Sequence, residues 1–293
     1  MVGIFSLSTG SLLDLAIASW SGKGTGEHTL LRQLMPVFKK GDIVIADAYY
    51  ASFFLIAMLI NMGIDVVFPQ HASRHSDFRK GERLGKGDHL VEWTKPARPS
   101  WMSKEEYANF PQVITIRETK IVSNRPGFRS KPRIIVTTFI DEKDVTPDDL
   151  GKLYSLRWFV ELNLRSVKET MRMDILRCQT PAMVRKEIWA HILAYNLVRK
   201  VMLQSAIVHK CNPREMSFKL ALQTMSAFRQ AGILCESNRQ HYVLFLQVIA
   251  SKKTGQQKRC GEPRVVKRRP KAFPRMQKPR ASYHRKEKAA CLS

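Results

Sequence analysis

Along one face between Tyr154 and Arg172 the sequence sets one carboxylate, Glu161, among four cations and a phenol. Wound at about 100° per residue, Tyr154, Arg157, Glu161, Arg165, Lys168 and Arg172 fall within about 80° of one another. The opposite side collects Leu153, Leu156, Phe159, Val160, Leu164, Val167 and Met171, an apolar stripe suited to packing on a sheet. Two chemistries fit the polar stripe. One is a solvated helix surface held by charge pairs a turn apart, Arg157 with Glu161 foremost. The other is a track for phosphates in which the lone acid serves as a metal ligand. A second acid, Asp47, ends the Ile/Val run Asp42–Ala46. By itself it reads equally as a catalytic carboxylate or as a strand-end cap for the helix that starts around Tyr49–Ser52. Asp42 is a turn residue after Gly41.

The elements that must hold these groups follow from the hydrophobic pattern. Val2–Leu7 and Leu12–Ala18, joined by Ser8-Thr9-Gly10-Ser11, predict a hairpin. Thr29–Phe38 reads as a helix, Asp42–Ala46 as a strand, Ser52–Met62 as a helix and Ile64–Phe68 as a strand. That alternation predicts an α/β layer with a partly parallel sheet. The pattern changes over residues 70–145, where short runs at His89–Trp93, Val113–Arg117, Lys120–Val122 and Arg133–Phe139 predict an antiparallel, β-rich insertion. Helices then take over near 147–173, 181–206, 213–229 and 238–251. Three of them open on a capping residue followed by proline: Thr146-Pro147, Thr180-Pro181 and Asn212-Pro213.

Composition narrows the partners. The chain has 293 residues, 44% of them hydrophobic, and a formal net charge of +24. That excess points to a polyanion, nucleic acid above all, or to an anionic membrane surface. Fifteen Lys/Arg against two Glu fall in 251–293, which with four prolines predicts an extended basic tail over 252–293. Such an arm binds nucleic acid without sequence preference and loses affinity steeply with salt. The longest apolar run, Phe53–Ile60, is far short of the roughly 18 residues of a membrane span, so no membrane partner is expected. The N-terminus lacks the pattern of a signal peptide. Five cysteines without a C-x-x-C pair suit a reducing cytoplasm rather than a disulfide scaffold or zinc finger.

The spacing Tyr154-x2-Arg157-x3-Glu161-x6-Lys168 resembles the Y-(2)-R-(3)-E-(6)-K signature of the DDE-class transposases of the insertion-sequence-4 family. Gly41-Asp42-Ile-Val-Ile-Ala-Asp47-Ala-Tyr49-Tyr50 is similar to that family's motif around its second catalytic aspartate. Gly85-Lys86-Gly87-Asp88-His89 and Pro263–Pro270 match further family motifs in order. The resemblance implies a ribonuclease-H-like core begun over 1–69, the β-rich insertion over 70–145, and the glutamate helix with C-terminal helices over 146–251. It implies Asp47 and Glu161 as catalytic, metal-holding carboxylates for Mg2+, with Mn2+ as a substitute. Tyr154, Arg157, Arg165 and Lys168 become contacts to DNA phosphates, Arg157 as a two-pronged grip and Lys168 as a point charge. The partners so implied are double-stranded DNA at element ends and target, and a second protomer on that DNA, in a bacterial cytoplasm beside the nucleoid.

Departures from the family pattern matter equally. The first catalytic aspartate belongs upstream of the region matching Val2–Ser19, and neither Asp14 nor Asp42 takes its place. The expectation is therefore a transposase impaired in autonomous cleavage and strand transfer. The alternative is a non-catalytic DNA-binding fragment that regulates an intact transposase. Pro69 stands where the family has an arginine, so any phosphate contact there is either lost or moved to Arg74. Trp93 and Trp101 are either core residues or platforms for a displaced base. His71, His75 and His89 fit no zinc spacing and read as surface groups. Lys86-Gly87-Asp88 reads as a turn, with Lys80, Arg83 and Lys86 near phosphates.

Overall fold

The computed structural model describes residues 1–122, 132–231 and 239–251; the basic tail expected over 252–293 lies outside the described residues. The expected first hairpin forms from β1 (Val2–Phe5) and β2 (Leu12–Ala16), an antiparallel pair separate from the main sheet. After α1 (Glu27–Leu34), strand β3 (Ile43–Ile45) runs parallel to β4 (Asp65–Pro69), linked by α2 (Phe53–Asn61). This is the strand–helix–strand crossover that a parallel pair requires.

The strands of the expected insertion do not form a module apart. β5 (Glu82–Gly85), β6 (Asp88–Thr94), β7 (Val113–Ile121) and β8 (Arg133–Thr137) are antiparallel and continue the sheet of β3 and β4. The order is β3-β4-β8-β7-β6-β5, because β8 returns to pair with β4. Between β6 and β7, the short helix α3 (Lys104–Ala108) opens on a Ser103–Glu106 capping box. Alternation along β4 explains the sandwich: Val66 and Phe68 join the core under α2, while Val67 faces the opposite side with Ile135 and Leu150. All three β4 residues are fully buried, as a strand covered on both faces should be.

Polar groups inside the sheet are paired. Arg117, wholly buried, grips Asp88 through two N–H groups at 2.9 and 2.6 Å and donates to the Val145 carbonyl at 2.7 Å. Glu118 accepts from Ser76, from Trp93 Nε1 at 3.1 Å and lies 3.3 Å from His89 Nε2. His89 is thus a core residue rather than the surface group expected. Its spacing carried no sign of that, since the burial comes from β7 pairing in register with β6.

The helix expected over 147–173 is broken into pieces. α4 (Pro147–Ser155) starts on a Thr146–Asp149 capping box with Pro147 in its first turn. Leu156 and Arg157 then donate to carbonyls three residues back, at 3.1 Å each, tightening the turn before α5 (Trp158–Arg165). A π-helical turn, Ser166–Thr170, follows, where the Ser166 hydroxyl donates to the Leu162 carbonyl at 3.0 Å and loosens the ladder. Arg172, placed on the polar stripe by projection, lies past the helix with φ 59°. Beyond it, α6 (Pro181–Val208) is capped by Thr180, and α7 (Phe218–Gln230) and α8 (Arg239–Ala250) pack against it. Asn212-Pro213 opens a 3-10 turn rather than the helix itself, which starts at Phe218. Tyr195 of α6 reaches the hairpin and donates to the Gly10 carbonyl at 2.5 Å.

Candidate active site

Asp47 follows β3 at the sheet edge and leads into a 3-10 turn, Ala48–Tyr50. Its carboxylate makes no capping bond there. Instead Oδ1 lies 3.0 Å from Arg157 Nη1, and Arg157 Nη2 donates to Glu161 Oε1 at 2.7 Å. One guanidinium therefore bridges two carboxylates that are 114 residues apart in the chain. Arg157 is the most enclosed of the three, its side chain 25% exposed against 63% for Asp47 and 41% for Glu161. Partial burial would lower its pKa. The Tyr154 phenol and the Asp47 and Glu161 carboxylates outweigh burial and hold the guanidinium above its ordinary value.

The remaining members of the signature flank this bridge in different surroundings. Tyr154 stays with α4, buried against Val67, Ile135 and Leu150, with Arg133 above its ring at 5.1 Å. It is not on the exposed stripe, because the tight turn at Leu156–Arg157 breaks the projection that put it there. Lys168 is exposed and lines the same groove as Asp47 and Arg157. Arg165 is exposed and sits 3.8 Å from Glu169.

Two cavities meet at the Asp47–Arg157 pair. One, of about 380 Å³, runs between β1, β3 and α5. The other, of about 450 Å³, is an open cleft where Arg74, Arg133 and His71 gather beside Asp47, Tyr154 and Arg157. Pro69 lines that cleft beside Arg74. Arg133 was not singled out by its sequence position; it starts β8 and reaches the cleft only because β8 pairs with β4. Both tryptophans are engaged. Trp93 is buried with Arg74 stacked on it at 3.6 Å, and Trp101 lies under Arg32 at 3.8 Å. Trp93 thus has no ring face open to a base, whereas Trp101 remains 45% exposed.

Behind α5, two further cations converge. Arg199 Nη2 and Arg214 Nη1 each donate to Asn163 Oδ1 at 2.9 Å. Burial first, and the like charge of Arg199 second, push Arg214 down to about 10. This pair fixes the back of α5 and so the position of Glu161 on its front.

With both acids on one guanidinium, comparison with known proteins settles the family. Residues 1–197 match the model of the transposase DDE domain. The chain belongs to the DDE transposase family. Within it, the chain is 27% identical over 194 residues to the transposase InsG for insertion sequence element IS4 of Escherichia coli (strain K12). That match covers 66% of this chain and 42% of InsG. The transposase for insertion sequence element IS421 of Escherichia coli is 26% identical over 104 residues, 32% of this chain and 28% of that protein. The chain thus spans less than half the length of these relatives. It is an insertion-sequence-4-type member with a mixed α/β fold, and none of its described helices is long and apolar enough to cross a membrane.

Proposed function

We propose that this chain carries the strand-cleavage and strand-transfer site of a transposase acting on double-stranded DNA, with Asp47 and Glu161 as its catalytic carboxylates. The single observation that supports this most is the bridge from Asp47 through Arg157 to Glu161. Neither acid is near the other in sequence, and the two motifs that contain them meet only in the fold. The parallel β3–β4 crossover, with Asp47 ending β3, supports a ribonuclease-H-like reading of the core.

The DNA would lie along the cleft of Arg74 and Arg133 and over Arg165 and Lys168. Arg157, freed from one carboxylate, would take a phosphate near the scissile bond by two N–H groups. Arg165 and Lys168 would add point charges that order the backbone without reading bases. Tyr154 would act through its ring, holding Arg133 and the start of the turn. A second protomer on the same DNA and nucleoid association in a bacterial cytoplasm belong to this reading.

The family reading also implies Mg2+ or Mn2+, the hard cations that carboxylates bind. The described residues do not complete a site for a pair of such ions. Only Asp47 and Glu161 converge, half of their charge is already offset by Arg157, and no group of three His, Cys, Asp or Glu stands together among the described residues.

That same shortage favours a second reading, a DNA-binding chain that lowers the activity of an intact transposase. An excision assay separates the two. A plasmid carries the element's inverted repeats around a marker, and the chain is expressed beside it as wild type, Asp47→Asn or Glu161→Gln. Excision lost in both variants supports the catalytic reading; excision retained in both overturns it. Absence of excision, with reduced excision by a co-expressed intact transposase, supports the regulatory reading instead.

A further inference from the structure

Behind α5 lies a cluster whose charges do not balance. Arg199 is 5% exposed and Asn163 is wholly buried, and Arg214 reaches in from the 3-10 turn Pro213–Glu215. Both guanidiniums donate to the one Asn163 Oδ1 at 2.9 Å. Their other oxygen acceptors are neutral as well. Arg199 Nε donates to the Tyr195 hydroxyl at 3.0 Å, and Arg214 Nη2 to the Phe159 carbonyl at 3.3 Å. Among the described residues neither guanidinium forms an ion pair. Aromatic rings cover their faces, Tyr195 and Phe218 on Arg199 at 5.3 and 5.0 Å, and Phe159 on Arg214 at 4.6 Å. Such stacking attracts a cation without neutralising it. Donors are in excess too, since Arg214 Nε and Asn163 Nδ2 are buried and meet no acceptor. A buried charge ordinarily has a partner of opposite sign, and a buried N–H an acceptor. Burial and the like charge of Arg199 accordingly hold Arg214 down at about 10.

We propose that the Arg199–Asn163–Arg214 cluster is a binding site for one small monovalent anion, of the size and charge of chloride, held by N–H groups behind the helix that carries Glu161. The rings on the guanidinium faces leave the N–H edges as the approach. Two N–H groups without acceptors suit a spherical ion. A tetrahedral dianion would set bare oxygens against Phe159, Phe218 and Met202, which border the cations. Arg214 is the movable wall, a half-buried arm on a short turn. Arg199 is the fixed one, because the Tyr195 hydroxyl that receives it donates in turn to the Gly10 carbonyl at 2.5 Å. Gly10, with φ 78° and no Cβ, leaves the space that Arg214 Nη1 takes up. An anion here offsets the repulsion between the two arginines. It thereby ties α5, α6 and the Pro213 turn into one block. The inference goes beyond the transposase reading and stands without it.

The test melts the intact chain at constant ionic strength while sodium chloride replaces sodium gluconate. At about ten times its Kd a bound ion shifts the folding equilibrium about elevenfold, which raises Tm by roughly 3–6 °C for a chain of this size. Asn163→Asp puts a carboxylate between the two guanidiniums at nearly constant shape. Its Tm in gluconate should exceed that of the wild type, and its chloride gain should vanish. Arg214→Met removes one of the two charges and should lose the gain as well; if that variant fails to fold, Asn163→Asp decides alone. Broadening of the chloride magnetic resonance line reads binding directly and should fall in both variants. Equal melting of the wild type in chloride and gluconate would overturn the proposal. So would a chloride gain that Asn163→Asp keeps, which places the ion elsewhere on this basic chain. A gain from phosphate with none from chloride would overturn the monovalent assignment. Each of these outcomes is independent of whether the chain excises DNA.

Discussion

Replacing Arg157 with Gln should raise the affinity of the Asp47–Glu161 pair for a single Mn2+ ion. In the wild type a cation can reach both carboxylates only by displacing the guanidinium from contacts at 3.0 and 2.7 Å. Both pairs are partly solvated, with Asp47 63% and Glu161 41% exposed, so the close-range Coulomb value must be discounted heavily. Measured pairs of this exposure contribute about 0.2–1 kcal/mol each. Two of them together hold off a competing cation by about 0.4–2 kcal/mol, which converts to a gain of about 2- to 30-fold in Mn2+ affinity on removing the arginine. Glutamine keeps a polar amide and much of the side chain's length, so the gain reflects charge rather than a cavity. Titration calorimetry or the loss of free-ion Mn2+ signal in electron paramagnetic resonance reads it directly. Half-molar salt should shrink the difference, since it screens exposed pairs. The double variant Arg157→Gln, Glu161→Gln should lose the gain. If Arg157→Gln binds Mn2+ no better than wild type at low salt, the guanidinium is not the competitor that its geometry makes it.

Other consequences follow from the packing around the site. Gly10→Ala should cost about 2 kcal/mol or more in urea unfolding. Gly10 has φ 78°, and a Cβ there would lie 1.9 Å from Arg214 Nη1 and 3.0 Å from Arg199 Cζ. Arg117→Leu should lower stability by about 3–5 kcal/mol, because it strands the buried Asp88 carboxylate; thermal melting that stays within a degree or two of wild type would contradict that. Acidification should weaken the fold through His28, whose pKa is lowered first by burial, with the nearby Arg32 adding to it against the Tyr49 carbonyl contact. With the folded pKa below the unfolded value near 6.5, the unfolded state takes up the proton first. Stability is then full above about pH 6.5 and is lost as pH falls toward the folded value. His28→Asn should flatten that part of a melting-temperature profile between pH 7.5 and 5.

What the chain's order of residues determined by itself was local. The proline-plus-cap starts at Thr146 and Thr180, the β-branched runs at β3 and β4 and the hairpin at β1–β2 all depend on neighbours in sequence, and each forms where the pattern puts it. The motif spacings sufficed for the family, because a signature records which residues must recur and not how they touch. Tertiary structure decided the rest, since each remaining feature depends on residues far apart in the chain. His89 and Trp93 are buried only because β7 pairs with β6, and Arg133 meets the cleft only because β8 returns to β4. The polar stripe drawn at a constant pitch splits in the fold. The tightened turn at Leu156 and Arg157 leaves Tyr154 in the core, and the π turn after Ser166 ends the helix before Arg172. Arg157 shows the division most clearly. Its pairing with Glu161 one turn away was legible in the spacing, whereas its contact with Asp47 exists only once β3 and α5 are side by side.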